Sequence, residues 1–292
     1  MASDRSRREV RLPDGRVVSY AEYGSLDGPA LFLFHGLPGS RLAVEDLWPG
    51  ADGPGAVRVI APDRPGMGRS DFQPGRRLTD YAADIAALAD ELGLERFRVA
   101  GFSGGGPHAL AVAHGLPERV IAAGCIAGSG QFDDPHATAG LNRANLMIAR
   151  LARSAPPALR QMVRMHARAM VKDPVRVYDR GTRDKGLAAA DRVAMAEPRT
   201  RRLATAAAPE AFHQGTQGVV HEIQISFGAW GFDLAAIRVP VHLWHGDADT
   251  NVPVTMARRI AQLVPGAQLT EYPGEGHLFS ARHWDEIIGA LI

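Results

Sequence analysis

The sequence of 292 residues contains a single cysteine, Cys125, so it cannot form a disulfide within the chain. Nothing in it therefore indicates an oxidising compartment. It also contains no apolar run close to the roughly 20 residues that a membrane-spanning helix needs. The start of the chain, residues 1–10, is charged and lacks the apolar region of a signal peptide. We therefore expect a cytoplasmic protein that does not contact a membrane.

The net charge of the chain is close to zero, and the sequence lacks a typical metal-ligand pattern. Lys and Arg (33) nearly balance Asp and Glu (32), and the net charge of +1 argues against nucleic acid as the main partner. No cysteine and histidine spacing typical of a zinc site occurs. We expect no metal and no cofactor, so any chemistry must come from the side chains and act on a small-molecule substrate.

The balanced total conceals one basic stretch. Residues 141–203 carry 15 Lys and Arg against 5 Asp and Glu. One interpretation is a set of solvated helix faces, and the other is a basic surface that attracts an anionic substrate or an acidic partner. The sequence leaves both interpretations open.

Segments of strand and helix character alternate along most of the chain, which favours an α/β fold. The segments that predict strands are Val17–Tyr23, Ala30–Phe34, Val57–Ala61, Phe97–Ala100, Val120–Ala127, Val239–Trp244 and Gln268–Tyr272. No strand pattern occurs over residues 131–227, where amphipathic patterns such as Pro157–Val171 predict helices. This stretch is too long for a plain loop. We therefore predict a helical subdomain, residues 131–227, inserted into a core formed by residues 1–130 and 228–292.

The motif Gly101-Phe-Ser-Gly-Gly105 fits the pattern G-x-S-x-G, with an apolar strand before it and a helical segment after it. A serine on such a tight strand-to-helix turn has its hydroxyl lifted clear of the sheet, and its neighbours must be small. Ser103 is therefore the candidate nucleophile. The alternative is a glycine-rich turn in which the serine is incidental.

An earlier strand ends in the loop His35-Gly-Leu-Pro-Gly39. Acyl transfer needs N–H donors aimed at the developing oxyanion, and each donor lowers the activation barrier by about 3–4 kcal/mol. The backbone N–H groups of Leu37 and Gly104 are the candidates, because Pro38 has none. We interpret His35 as a residue that packs under this loop and supports it, although a histidine here could be mistaken for the base.

A serine nucleophile needs a base, and the chain contains eleven histidines. His277 follows the last predicted strand, in a loop that should overhang the carboxyl ends of the strands, where α/β sites form. His108 lies inside the helix after Ser103 and should point elsewhere. His245 ends the strand before the loop that carries the acid, and it either supports that acid or only packs.

The acid should follow the serine and precede the histidine in the chain. The segment 244–253 supplies Asp247 and Asp249 just after a strand. Physical reasoning from the sequence does not separate the two. Asp133 or Asp134, after an earlier strand, is a remoter possibility.

These motifs together resemble the α/β-hydrolase superfamily over residues 10–130 and 228–292. The superfamily's Gly-x-x-Asp pattern matches Gly246–Asp249 and selects Asp249, while its serine and late histidine fall on Ser103 and His277. The resemblance implies an α/β-hydrolase fold, which is a mostly parallel eight-stranded sheet flanked by helices. It also implies that the insertion is a helical cap between strands 6 and 7.

The function that this resemblance implies is hydrolysis of a carboxylic ester, lactone or thioester of a small, largely apolar substrate, through an acyl-enzyme on Ser103. Non-hydrolytic chemistry on the same fold, by a cyclase, lyase or acyltransferase, is an alternative. A serine aminopeptidase is another, because the loop His35–Gly39 resembles that of proline iminopeptidases. Those enzymes have tryptophan after the nucleophile, where this chain has Gly104.

Overall fold

The structure, a computed structural model, describes residues 5–50, 53–132 and 140–292. Its centre is one eight-stranded sheet with the strand order β1-β2-β4-β3-β5-β6-β7-β8. The strands are β1 (Arg8–Arg11), β2 (Val17–Gly24), β3 (Ala30–Phe34), β4 (Arg58–Pro62), β5 (Phe97–Phe102), β6 (Val120–Ile126), β7 (Val241–Gly246) and β8 (Gln268–Tyr272). Strand β2 runs antiparallel to β1 and β4, and all pairs from β4 to β8 are parallel. The predicted fold class is therefore confirmed.

Helices follow or connect the parallel strands. They are α1 (Tyr81–Glu91), α2 (Gly106–Gly115), α3 (Arg143–Ser154), α4 (Pro156–Lys172), α5 (Pro174–Gly181), α6 (Ala189–Ala196), α7 (Pro198–Ala207), α8 (Gln217–Ser226), α9 (Val254–Leu263) and α10 (Trp284–Leu291). Helices α1, α2 and α9 contribute to the apolar cluster on one face of the sheet, and α10 contributes to the cluster on the other.

Burial on both faces explains why the central strands are continuous apolar runs. In β3, Phe32 and Phe34 pack into the first cluster, whereas Leu31 and Leu33 pack into the second. Alternate side chains of a strand point to opposite faces, so an apolar residue is needed at every position.

Helices α3–α8 lie between β6 and β7, in the part of residues 131–227 that the structure describes, and no strand occurs there. We call residues 131–227 the inserted segment. Its helices α4 and α8 share a small apolar cluster that includes Leu159, Val163 and Ile223, and Met67 from the turn after β4 joins it. The inserted segment thus packs on the core near the carboxyl end of β4. That it acts as a cap over a pocket stays a prediction.

Within residues 5–50, 53–132 and 140–292, no helix has both the length and the apolar character to cross a bilayer.

Candidate active site

Ser103 lies at the sharp turn between β5 and α2. Its φ is +53°, in the left-handed region that costs a non-glycine residue about 1 kcal/mol or more. The turn also requires glycine at position 101, because a Cβ there would lie 2.0 Å from the Gly105 carbonyl oxygen. The strained serine and its glycine neighbour are what the G-x-S-x-G pattern predicts of a nucleophile held at the end of a strand.

The loop after β3 lies against this turn. A Cβ at Gly36 would lie 3.5 Å from the Ser103 Cβ, and a Cβ at Gly104 would lie 2.8 Å from the Leu37 Cβ and 3.4 Å from the Leu37 backbone nitrogen. The peptide groups of Leu37 and Gly104 are therefore neighbours beside the serine. Gly104 lies in the short 3-10 turn Ser103–Gly105 that leads directly into α2. The first backbone N–H groups of such a helical stretch have no partner within the helix, and the helix dipole is positive there. Two N–H donors in this arrangement can stabilise a developing oxyanion.

His35 is buried beneath the same loop, and both of its ring nitrogens are engaged. Nδ1 lies 2.8 Å from the Gly36 carbonyl oxygen, and Nε2 lies 3.2 Å from the Arg64 backbone nitrogen. The pattern fits a neutral imidazole that donates from Nδ1 and accepts at Nε2. Burial, with the Arg64 charge, holds the pKa of His35 well below its usual value. Both ring nitrogens of His35 are thus engaged, which leaves neither free to act as the base.

The loop after β8 brings His277 to the loop after β7. His277 Nδ1 lies 2.7 Å from Asp249 Oδ2, and the imidazole packs on the ring of Phe102, with 4.9 Å between the ring centroids. Because Phe102 directly precedes Ser103, the imidazole lies close to the turn that carries the serine. The other carboxylate oxygen of Asp249, Oδ1, accepts hydrogen bonds from the N–H groups of Asn251 and Val252.

The neighbouring carboxylate does not take part in this pairing. Asp247 is exposed and accepts a hydrogen bond from the Gly274 N–H at 2.7 Å. The structure therefore brings Asp249, and not Asp247, to His277. Asp133 and Asp134, the remoter candidates, lie outside the described residues.

Asp249 and His277 shift each other's pKa in the directions that favour the charged form of both. Burial by itself lowers the pKa of His277, but the Asp249 carboxylate and, less strongly, the charge of Asp191 raise it above its usual value. Burial likewise raises the pKa of Asp249, but His277 and His245 outweigh that and lower it. Asp249 is thus ionised at neutral pH and can stabilise a protonated imidazole.

His245 is completely buried behind the acid. Its Nε2 lies 2.8 Å from the Val252 carbonyl oxygen and 3.3 Å from Asp249 Oδ2. Both distances tie the histidine to the turn that carries the carboxylate. His245 thus contacts the same carboxylate oxygen as His277, and that it supports the acid stays a prediction.

A second buried cluster lies beneath the loop His35–Gly39 and was missed by the sequence analysis. Glu222 of α8 contacts Arg64 (Nε to Oε1, 3.1 Å), Arg76 and His108 (Nε2 to Oε1, 2.9 Å), and all four side chains are almost fully buried. Arg64 also donates to the carbonyls of His35 and Gly36. Burial lowers the pKa of His108 to about 4, so the two arginines supply the positive charge. The cluster links the inserted segment to the loop beside Ser103.

Replacing Glu222 with glutamine is expected to lower the free energy of unfolding by about 3–5 kcal/mol, because Arg64 and Arg76 would lose their buried counter-charge. Urea denaturation measures this loss. Glu118→Gln makes the same chemical change at an exposed position and is expected to cost less than about 0.5 kcal/mol. Equal, small losses for the two variants would show that the arginines do not depend on Glu222.

Among the described residues, no three histidine, cysteine, aspartate or glutamate side chains are grouped closely enough to hold a metal ion.

The sequence is similar to those of known hydrolases and related enzymes. A model described as "Alpha/beta hydrolase family" matches residues 31–290. A putative carbamate hydrolase of Azorhizobium caulinodans is 28% identical over 77% of this chain and 76% of its own length. A non-heme chloroperoxidase of Streptomyces lividans is 40% identical over 39% of this chain. The chain spans 42% and 39% of the lengths of the first two curated relatives that it matches.

Solved structures agree in fold. An esterase from Rhodococcus sp. superposes with a TM-score of 0.66, covers 98% of both chains and is 20% identical. An alpha/beta hydrolase fold protein from Nakamurella multipartita superposes with a TM-score of 0.67 and covers 98% of this chain and 99% of its own, at 23% identity. At these identities, the likeness establishes the shared architecture.

Proposed function

The chain belongs to the alpha/beta hydrolase family, and from that premise we propose that it is a serine hydrolase that cleaves a carboxylic ester, lactone or thioester. The observation that carries the proposal is the buried Asp249–His277 pair, 2.7 Å apart, whose imidazole packs on the residue before the strained Ser103. Asp249 holds the Nδ1–H of the imidazole, which leaves Nε2 to act as the base.

In the first step, the Ser103 Oγ attacks the substrate carbonyl carbon while its proton passes to His277 Nε2. The carbonyl oxygen becomes an oxyanion, which the N–H groups of Leu37 and Gly104 stabilise. The imidazolium formed on His277 is stabilised by the charge of Asp249. When the intermediate collapses, the bond to the leaving group breaks, and the leaving alkoxide or thiolate takes the proton from His277.

In the second step, water replaces the leaving group. His277 removes a proton from this water, the hydroxide attacks the acyl carbon, and the returning proton releases Ser103 with a free carboxylic acid. The side chains beside the serine, Leu37 and Phe102, are apolar. They support a small, largely apolar acyl group as the substrate class.

Two relatives support acyl chemistry of this kind. The relative over 77% of this chain is a putative carbamate hydrolase, and another, 35% identical over 33% of this chain, is a bifunctional esterase/perhydrolase from Acinetobacter calcoaceticus. One is named a hydrolase and the other an esterase, and the second matches only a third of this chain.

Turnover of p-nitrophenyl butyrate tests the proposal. We expect steady release of p-nitrophenol, with a burst equal to the enzyme concentration if deacylation is the slower step. Ser103→Ala is the matched control and should give neither. A burst without later turnover would contradict hydrolysis and favour a non-hydrolytic acyl transfer, since a nucleophile other than water would then be needed.

We also propose that the basic stretch, residues 141–203, favours anionic substrates. The structure records carboxylate partners for Arg199 and Arg201, with Asp46 and Asp179. Other arginines of this stretch, including Arg160 and Arg164, are exposed. Arg160 and Arg164 line a cavity of about 290 Å³ together with Phe72 and His221. Exposed positive charge of this density attracts anions over about a Debye length.

If this charge steers association, kcat/KM for an anionic ester should fall as salt rises, because the Debye length shrinks from ~30 Å at 0.01 M to ~8 Å at 0.15 M. A neutral ester of similar size should show almost no salt effect. The double variant Arg160→Gln/Arg164→Gln should flatten the slope for the anionic ester only. Equal salt dependence for both esters would leave these arginines as solvated helix faces.

A further inference from the structure

Asp191 is a buried acid with an unusual position. It lies on α6 of the inserted segment and is 1% exposed, and its Oδ1 accepts a hydrogen bond from the backbone N–H of Leu278 at 2.7 Å. Leu278 directly follows His277. A helix of the inserted segment is therefore bonded to the loop that carries the proposed base.

The contact is too close for a side chain at the facing position. A Cβ at Gly276 would lie 2.4 Å from the Asp191 Cγ and from its Oδ1. The glycine on one side of His277 thus makes room for the carboxylate, and the N–H on the other side binds it. Asp191 thus lies against Gly276 and is hydrogen-bonded to Leu278, the two residues that flank His277.

The second oxygen of the carboxylate, Oδ2, is buried and has no hydrogen-bond partner in the described part of the chain. A buried carboxylate oxygen without a donor is costly, and such sites call for a functional reason. A positive charge nearby would offset that cost. His277 becomes positive when it takes the proton of Ser103.

We propose that Asp191 is a positioning residue for His277, holding the loop through Leu278 and supplying a second negative charge that faces the imidazolium formed during turnover. The inserted segment would then complete the active site as well as adjoin it. The inference rests on the proposed function for its catalytic meaning, but the contact itself does not depend on the substrate.

Several other charged or titratable groups surround His277. Asp249 binds its Nδ1, and His245 lies behind Asp249. Glu275, on the same loop, is paired with Arg282 and His283. Besides Asp249, Asp191 is thus an acid whose charge acts on the imidazole, and both carboxylates raise the pKa of His277.

The test compares Asp191→Asn with Asp191→Ala. Asparagine keeps an oxygen for the Leu278 N–H but removes the charge, so the pKa of His277 should fall. Because the neutral imidazole is the base, the acid limb of kcat/KM should move to lower pH. The alkaline plateau should also fall, because the imidazolium formed during turnover loses one of its two stabilising charges. Alanine also removes the hydrogen bond, so kcat should fall further, by up to about 10²-fold for a misplaced catalytic group.

Glu197→Gln removes an exposed acid from the same inserted segment and should change neither the pKa of His277 nor kcat. NMR titration of His277, its signal assigned by loss in His277→Gln, reports the pKa without any activity, so failure of the proposed function is distinguishable from failure of this inference. An unchanged His277 pKa in Asp191→Asn would overturn it, even if Asp191→Ala fails to fold. A loss confined to KM for an amine-bearing ester would also overturn it, because Asp191 would then bind substrate.

Discussion

Replacing Ser103 with alanine is expected to reduce kcat for ester hydrolysis by about 10⁴–10⁶-fold without unfolding the protein. The hydroxyl is the proposed nucleophile, so its removal leaves the base without the group that it activates. The left-handed φ of +53° at this position costs alanine as much as serine, so the melting temperature should stay close to that of the wild type. Steady-state kinetics and thermal unfolding measure the two quantities.

The double variant Ser103→Ala/His277→Ala separates a catalytic unit from two independent contributions. Members of such a unit act together, so each single variant should lose about as much as the double variant. Losses that multiply would contradict a shared proton-transfer step. A melting temperature lowered by tens of degrees in Ser103→Ala would instead assign the serine a structural role.

Replacing Asp249 with asparagine is expected to cost roughly 10⁴ in kcat, as for a lost triad acid. The surrounding hydrogen bonds explain why. Oδ1 accepts from the N–H groups of Asn251 and Val252, so the amide of asparagine must turn its NH₂ group toward His277. An NH₂ group cannot accept the Nδ1–H, and the imidazole then adopts the wrong tautomer for a base at Nε2.

Asp247→Asn is the matched control two residues away. The Asp247 carboxylate is exposed and accepts only the Gly274 N–H among the contacts recorded for its side chain, and an amide oxygen can accept it as well. We expect its kcat to stay within a few-fold of the wild type. The reverse ranking of the two variants would assign the acid to Asp247, and no effect of either would direct attention to Asp133 and Asp134.

Most of the sheet could be predicted from the sequence, because the six strands β2 to β7 are largely apolar and buried. The strand β8 was also predicted, although Tyr272 is its one buried residue. The strand β1, Arg8–Arg11, could not be predicted, since its residues Arg-Glu-Val-Arg form a short exposed edge with little apolar signal. The sequence analysis also did not identify α5, Pro174–Gly181, which has no buried residue. Helix α8, Gln217–Ser226, is buried over most of its length and so lacks a clear amphipathic pattern.

The candidate site shows a similar division. Ser103 and His277 were predictable from local motifs, because a tight turn and a late loop leave a signature in the residues next to them. Asp247 and Asp249 are chemically alike, so their residue type does not separate them. Which carboxylate reaches His277 depends on the shape of the turn after β7. Asp191 and Glu222 left no signal, because the partner of Asp191 lies 87 residues away along the chain and the partners of Glu222 lie 114 to 158 residues away.

Covalent labelling with a fluorophosphonate tests the role of Ser103 most directly, because the reagent reacts with a serine that is activated by a base and faces an oxyanion hole. Intact-protein and peptide mass spectrometry should find one adduct, on the peptide that contains Ser103, with slower labelling in Asp249→Asn and none in Ser103→Ala. An adduct on a different residue, or ester turnover that continues without any adduct, would contradict Ser103 as the nucleophile.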